Sequence, residues 1–248
     1  MEVEEQRKSD LLERQNQVIT NLNELSQRLN NLIPRQEITE IQKHVADYTS
    51  SIDLKFKLQR VPSPYYTWTL EQRANYLGAP SKQYLCKSII MENTECVNQD
   101  MSDPFNSRYY LVIIQYTTKI QNQKVLKFVK SLQSQSSSST AVSGANYRFT
   151  LAQSEASHAM TGFEYNAVCP IATKVNIPIV ISKSIFSLPN PTVWLGGGET
   201  DLKLVVDINE FKEKVENNAK NHVFIADVVY DQQSTTTSNN NNNNDGEE

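Results

Sequence analysis

The chain predicts an α/β (α+β) fold: a mixed β-sheet domain flanked by helices, preceded by an N-terminal helical coiled-coil segment. Two patterns carry this expectation. Short apolar runs such as Leu111–Ile114 and Ile177–Ile181 intermix with helix-period stripes through residues 65–220, as packed layers of strands and helices require. Ahead of them, Leu11, Gln15, Val18, Leu22, Leu25, Leu29 and Leu32 step alternately by four and three, an a/d seam with one polar position.

Pro34 interrupts the seam, and Ile38, Ile41, Val45, Tyr48 and Ile52 resume it. Proline fits the first turn of a second helix, where its missing N–H is not needed. The two helices suit a hairpin or a nearly straight rod. Neither buries its stripe alone, so residues 1–53 meet their own domain, a second copy of the chain, or another protein. Val61–Tyr66 then punctuates the chain with two prolines. A short helix follows in TWTLEQRANYLGAP, with Thr69 and Gln72 as a capping box and Gly78 and Pro80 as a stop signal.

The next strand, YLCKSIIME (Tyr84–Glu92), raises a question. Side chains alternate along a strand, so Leu85, Lys87, Ile89 and Met91 share one face and Cys86 points to the other. An ammonium in that row is costly to desolvate, so it must reach water, find a partner or serve a function. After a polar loop around Asn93–Asn106, Arg108–Tyr116 reads as a buried strand. NQKVLKFVKSLQ reads as a helix with Val125, Phe128, Val129 and Leu132 inside and Lys124, Lys127 and Lys130 outside. The serine run Ser134–Ser139 reads as a flexible loop. YRFTLA, IPIVIS, TVWLGG and LKLVVDI supply further strands, and FKEKVENN a helix opened by Asn209. The sheet domain is thus expected over residues 54–222. Residues 223–248, rich in asparagine and acids, form a tail too polar to order itself.

Charge is unevenly placed. Residues 1–53 carry six basic and ten acidic side chains, residues 54–222 eighteen and thirteen, and residues 223–248 none and five. From Pro104 to Ser154 there is no acidic residue, while Arg108, Lys119, Lys124, Lys127, Lys130 and Arg148 fall inside. Such a block suits either a polyanionic partner or a solvated lysine-rich face. The N-terminus lacks the apolar stretch of a secretory signal, and the apolar runs are too short to cross a bilayer. Three scattered cysteines and three histidines argue against a disulfide framework or a zinc cluster. A cytoplasmic protein without membrane contact is expected.

No P-loop, GxSxG, HExxH or strand-following GxGxxG occurs. His158 has no serine or cysteine partner by spacing and reads as a helix-end residue; Cys86 reads as a buried structural thiol. Glycine placement is more informative. Of only seven glycines, three are consecutive at Gly196–Gly198 directly after the strand TVWL, and Gly162 opens the irregular stretch TGFEYNAVCP. Glycine lets backbone N–H groups approach a ligand closely, although each loop taken singly is also explained as a turn.

These landmarks follow one another in a distinctive order: the LGAPS turn, the strand bearing Lys87, TG…NAVCPI (Thr161–Ile171), IPIVIS, the three glycines and a final strand and helix. In this order and spacing, residues 54–217 resemble the YbaK/ProX family of aminoacyl-tRNA deacylases, the synthetase-associated editing domains. The resemblance implies a mixed sheet flanked by helices and hydrolysis of the ester that joins a wrong amino acid to the 3′ adenosine of a tRNA. It implies no metal and no organic cofactor. The family lysine falls on Lys87, the glycine–proline loop on Gly162 through Pro170, and the later glycine motif on Gly196, Gly197 and Gly198. Two departures stand out. Asn166 occupies the place, four before Pro170, where the family usually has glycine, and ISKSIF offers Ser182 and Ser184 in place of the usual aspartate.

On this resemblance Lys87 anchors the terminal phosphate or adenosine and stabilises charge at the carbonyl, or alternatively acts as a general base. Gly162 and the N–H groups around Ala167, Val168 and Cys169 serve the carbonyl oxygen, while Asn166, Pro170 and the glycine run line the substrate. Lys124, Lys127 and Lys130 track tRNA phosphates. Residues 1–53 dock a synthetase or form a homo-oligomer. The alternative activity is a catalytically weak tRNA- or synthetase-binding module on the same fold.

Overall fold

A computed structural model describes residues 2–132 and 143–230. The serine run Ser134–Ser139 and residues 231–248 of the expected tail lie outside the described residues.

Two sheets form the domain. Strands β1 (Lys57–Arg60), β6 (Thr192–Gly196) and β7 (Leu202–Asp207) make a three-stranded antiparallel sheet ordered β1-β7-β6. Strands β2 (Cys86–Asn93), β3 (Tyr109–Gln115), β4 (Phe149–Leu151), β5 (Ile179–Ser182) and β8 (Val223–Ala226) make a mixed sheet ordered β4-β2-β3-β5-β8. Its β2–β3 and β2–β4 pairs are antiparallel, and β3–β5 and β5–β8 are parallel. The α+β architecture with a mixed sheet is therefore the observed one.

The unbroken apolar runs are explained by position. β3 and β5 are central strands covered on both faces, so neither side of their alternation needs to be polar. Leu111, Ile113, Ile179 and Ile181 enter a core shared with α7 (Ile208–Asn217) and with Leu195 and Leu204 of the small sheet. Tyr110, Val112, Ile114 and Val180 enter the opposite core, roofed by Val125 and Val129 of α4 (Asn122–Leu132). A third cluster packs α3 (Leu70–Leu77) and Tyr65 on the outer face of the small sheet, against Trp194 and Val205.

Local signals behave as their chemistry dictates. Thr69 and Gln72 form the reciprocal capping box of α3, and Gly78 ends it in the left-handed region at φ 71°. The last long helix is capped differently from the expectation. Asp207, not Asn209, is the N-cap of α7, because β7 ends there and its carboxylate accepts from Asn209 N and Glu210 N.

The domain boundaries shift at both ends. Val223–Ala226 extends the mixed sheet beyond residue 222 because its main chain pairs with β5. At the other end, the two N-terminal helices part company. α1 (Glu2–Asn31) leaves its seam in water, with Leu22 59% and Leu29 63% exposed. α2 (Glu40–Ser51), capped by Thr39, instead sends Val45 into the main core, joined by Ile52 just beyond its end. Arg60 straps α2 to the small sheet through Thr39, Gln42, Glu199 and Asp201, and Arg35 adds ion pairs to the same two carboxylates. No described helix is long and apolar enough to cross a membrane.

A chain beginning at residue 34 should therefore unfold in urea within about 0.5 kcal/mol of the full chain. One beginning at residue 54 loses Val45 and Ile52 and should be less stable by about 3–6 kcal/mol. Equal losses in both would show that α1 packs on the domain.

Candidate functional site

The site is a break in a sheet. Asn93 N donates to Arg108 O and Leu85 O accepts from Tyr116 N, so the odd-numbered residues of β2 direct their main-chain groups at β3. Even-numbered residues face the outer edge. There Ile90 O accepts from Ala152 N, but the chain then turns away into α5 (Ser154–Thr161). On the other side β6 lies alongside, but among the described residues its only pairing with this segment is the bridge of Trp194 to Leu85, just ahead of β2. Between β4 and β6 the edge at Ser88 has no strand partner. Ser88 Oγ, buried there, also has no hydrogen-bond partner among the described residues. Buried polar groups normally find partners, so the free Ser88 hydroxyl sets this edge apart.

A cavity of about 350 Å³ opens on that edge. Cys86 to Ile90 form its floor, Trp194 and Gly196 one wall, and Phe163, Tyr165, Asn166 and Val168 a loop wall. Tyr65, Tyr66 and Tyr116 line it as well. Among the described residues its charged lining is Lys87 and Lys203, with no carboxylate.

Lys87 is half-buried, with its Nζ 5.8 Å from the centre of the Tyr116 ring. Among the described residues it makes no ion pair. Cys86 turns the other way into the main core, where burial pushes its thiol well above the usual range. The alternation read from the sequence holds, and Lys87 is answered by an aromatic face and the cavity.

Lys203 was not singled out by sequence reasoning. It lies on β7 directly across from Gly196 and is only 6% exposed. Its Nζ donates to Tyr66 Oη at 2.6 Å and to Thr200 O at 3.0 Å, and sits over the Tyr65 and Tyr66 rings. Burial pulls its pKa down to about 8, against the weaker upward pull of Asp201. The signal was present: LKLV is another lysine in an apolar strand, the same pattern that drew attention to Lys87.

The aromatic wall is held from behind. Arg73 of α3 donates to Trp68 O and Tyr66 O and lies over both tyrosine rings, at 5.4 and 5.1 Å. Tyr66 and Tyr116 are close enough to act on each other's titration. Burial raises the pKa of Tyr65, Tyr66 and Tyr116, which keeps them neutral at ordinary pH.

The glycine-bearing segments meet, but with divided roles. Gly162 caps α5 at φ 80° and donates to His158 O; it does not line the cavity. His158 occupies the last turn of α5, its Nδ1 3.1 Å from Phe163 O. Asn166 stands in the left-handed region at φ 62°, the conformation a glycine would supply; asparagine tolerates it better than most residues. Ala167 is fully buried, and its N–H is spent on Glu164 O, which removes it from the expected carbonyl-binding donors. The N–H groups of Val168 and Cys169 take no acceptor among the described residues. Val168 lines the cavity, whereas Cys169, its pKa pushed up to about 12, and Pro170 lie buried behind it.

Gly196 lines the cavity because nothing larger fits: a Cβ there would fall on Val168 O. Gly198, at φ 99°, donates to Ala167 O, and Gly197 closes the turn to Leu202 O. Gly197 and Gly198 thus clamp the loop rather than face a ligand. In place of an aspartate, Ser182 and Ser184 form a neutral chain, Ser184 donating to Gln115 Oε1 at 2.8 Å. The α4 lysines stand apart from the cavity. Lys124 pairs with Asp227, Lys130 lies over Tyr147, and Lys127 is exposed.

No protein-family model matches the sequence, and no curated protein matches it. Solved structures do match in fold. One is a candidate trans-editing enzyme for prolyl tRNA synthetase, at 16% identity and a TM-score of 0.56, covering 79% of this chain and 100% of that one. The hypothetical protein APE2540 matches at 19% identity and 0.54, covering 75% and 99%. A computationally designed epitope scaffold matches at 15% and 0.56, covering 78% and 99%. At these identities the likeness is one of fold.

Two outcomes test the site's construction. Gly196→Ala should cost about 1–3 kcal/mol in urea unfolding, because main chain must move to admit the methyl group. For Lys203, the folded pKa of about 8 lies below the ordinary 10.5, so the unfolded chain binds more protons between those values and stability rises with pH there. The stability of wild type relative to Lys203→Met should grow by about 3 kcal/mol across that window. A flat difference would mean that the amine is hydrated.

Proposed function

We propose that this cavity hydrolyses the ester bond of mischarged aminoacyl-tRNA, and that the protein is a free-standing trans-editing deacylase of the YbaK/ProX type. The observation that carries the reading is a cationic cavity without carboxylates, opening on an unpaired strand edge in a fold shared with a candidate trans-editing enzyme. The order of sequence landmarks supports the same family.

In this reading Lys87 meets the terminal phosphate or adenosine and stabilises negative charge growing on the carbonyl oxygen. The Val168 N–H, and Cys169 N–H behind it, cup that oxygen; Ala167 contributes by accepting from Gly198 and so fixing the loop. Asn166 and Gly196 border the acyl group, while Gly162, Pro170, Gly197 and Gly198 hold the frame. An ester has a competent leaving group, so positioning and electrostatics can carry the reaction. Water attacks, assisted by the vicinal hydroxyl of the terminal ribose. No carboxylate lines the cavity to serve as base. Lys127 and Lys130, with Lys124 to the extent that Asp227 releases it, supply tRNA phosphate contacts. The exposed seam of α1 docks the enzyme to a synthetase or to a second copy.

A panel of mischarged tRNAs, assayed with wild type and Lys87→Ala, tests the reading. At least one ester should be cleaved, with the variant slower by about a hundredfold or more. Cleavage of none would leave a binding module; an unaffected variant would remove Lys87 from the chemistry. Separately, Lys124→Gln, Lys127→Gln and Lys130→Gln combined should lower the slope of log tRNA affinity against log salt by about 2–3. An unchanged slope would place the tRNA elsewhere.

A further inference from the structure

We propose that Lys203 is a second anion-binding pole of the cavity, one that receives an anionic oxygen of the ligand: a carboxylate on the acyl group or a phosphate on the nucleotide end. The proposal deepens the aminoacyl-ester reading and rests on it for the identity of the ligand, but the anion site can be measured without any ester.

Three observations converge on it. First, Lys203 is the one charged residue among the described buried polar side chains, and it lines the cavity. Second, its charge is not cancelled locally. Asp201, the acid acting on it, is already bound by Arg35 and Arg60, and Arg73 opposes the ammonium from the other side. The remaining titratable groups on this wall are Tyr65, Tyr66 and Tyr116, all held neutral, and Lys87, a like charge. Third, an ammonium has three donors, and among the described residues two are satisfied, by Tyr66 Oη and Thr200 O.

Tyr66 is a positioning residue in this arrangement. Its oxygen accepts from Lys203, and it adjoins Tyr116, over whose ring Lys87 lies. Lys87, Tyr116, Tyr66 and Lys203 therefore form one continuous row of contacts, with an ammonium at each end. A ligand carrying anionic groups at two points would engage both. An ammonium desolvated to this degree gains most from a charge-assisted hydrogen bond, because water competes poorly for it.

The test is calorimetric titration of the full chain with inorganic phosphate, sulfate and glutarate near pH 7. At least one probe should bind wild type, and Lys203→Met should weaken it about tenfold or more. Lys203→Arg, which keeps the charge, should stay closer to wild type. Loss in Lys203→Met confined to glutarate assigns the pole to an acyl carboxylate; loss confined to phosphate and sulfate assigns it to the nucleotide. With glutarate or sulfate, which do not titrate in this range, wild-type affinity should fall about tenfold or more on going from about pH 7 to about pH 9.5, as Lys203 loses its proton. Lys203→Arg should not show that fall. Equal affinities in wild type and Lys203→Met, or no binding of any probe to folded wild type, would overturn the proposal. Should Lys203→Met fail to fold, a wild-type affinity independent of pH would overturn it equally. Anion binding without deacylation would remove the ester reading and leave the pole standing.

Discussion

The unpaired outer edge of β2 is the constraint on which the rest of the site depends. A strand buried in a sheet normally gives every main-chain N–H and C=O a partner, and leaving such groups dry and unpaired costs about 1–3 kcal/mol each. Here β4 leaves β2 after Ile90, and β6 lies near β2 but pairs with this segment only through the Leu85–Trp194 bridge, so the stretch around Ser88 faces the cavity. The gap is framed on one side by the departure of the chain into α5. On the other it is framed by Gly196, whose missing side chain lets the loop at Val168 approach the sheet. Both halves of the frame are main-chain geometry, which makes the cavity a property of the fold rather than of a few side chains.

Electrostatics then gives that space its chemical character. Two lysines share the lining with Tyr65, Tyr66 and Tyr116, and the nearby carboxylates Glu199 and Asp201 are already committed to Arg35 and Arg60. Those arginines tie the linker ahead of α2 and the end of β1 to the turn between β6 and β7, and so remove negative charge that would otherwise satisfy Lys203 internally. The structural strap and the cationic cavity are two consequences of one ion-pair network. Holding a desolvated ammonium costs stability, a sacrifice more common at sites that bind than at sites that only pack.

The N-terminal region divides along similar physical lines. α2 is short and places Val45 in the main core, whereas α1 runs thirty residues with its apolar seam in water. Each follows the same heptad spacing, so the difference arises from what lies beside them: the small sheet and Arg60 capture α2, and among the described residues nothing comparable reaches α1.

By itself the sequence determined the composition of the layers, the capping of α3, the opposite facing of Lys87 and Cys86, and the order of landmarks around the glycines. Each is set by near neighbours in the chain, through periodicity, turn chemistry or a cap, and so survives being read in one dimension. Only the tertiary structure decided that Ala167 spends its N–H on a turn, that Gly197 and Gly198 clamp while Gly196 lines, that Val223–Ala226 joins the sheet, and that Lys203 lines the same cavity as Lys87. Those outcomes depend on which strands become neighbours. Lys203 shows the boundary most clearly: its apolar strand was legible, but the tyrosines that shelter it come from a segment more than a hundred residues earlier, and no local pattern records their meeting.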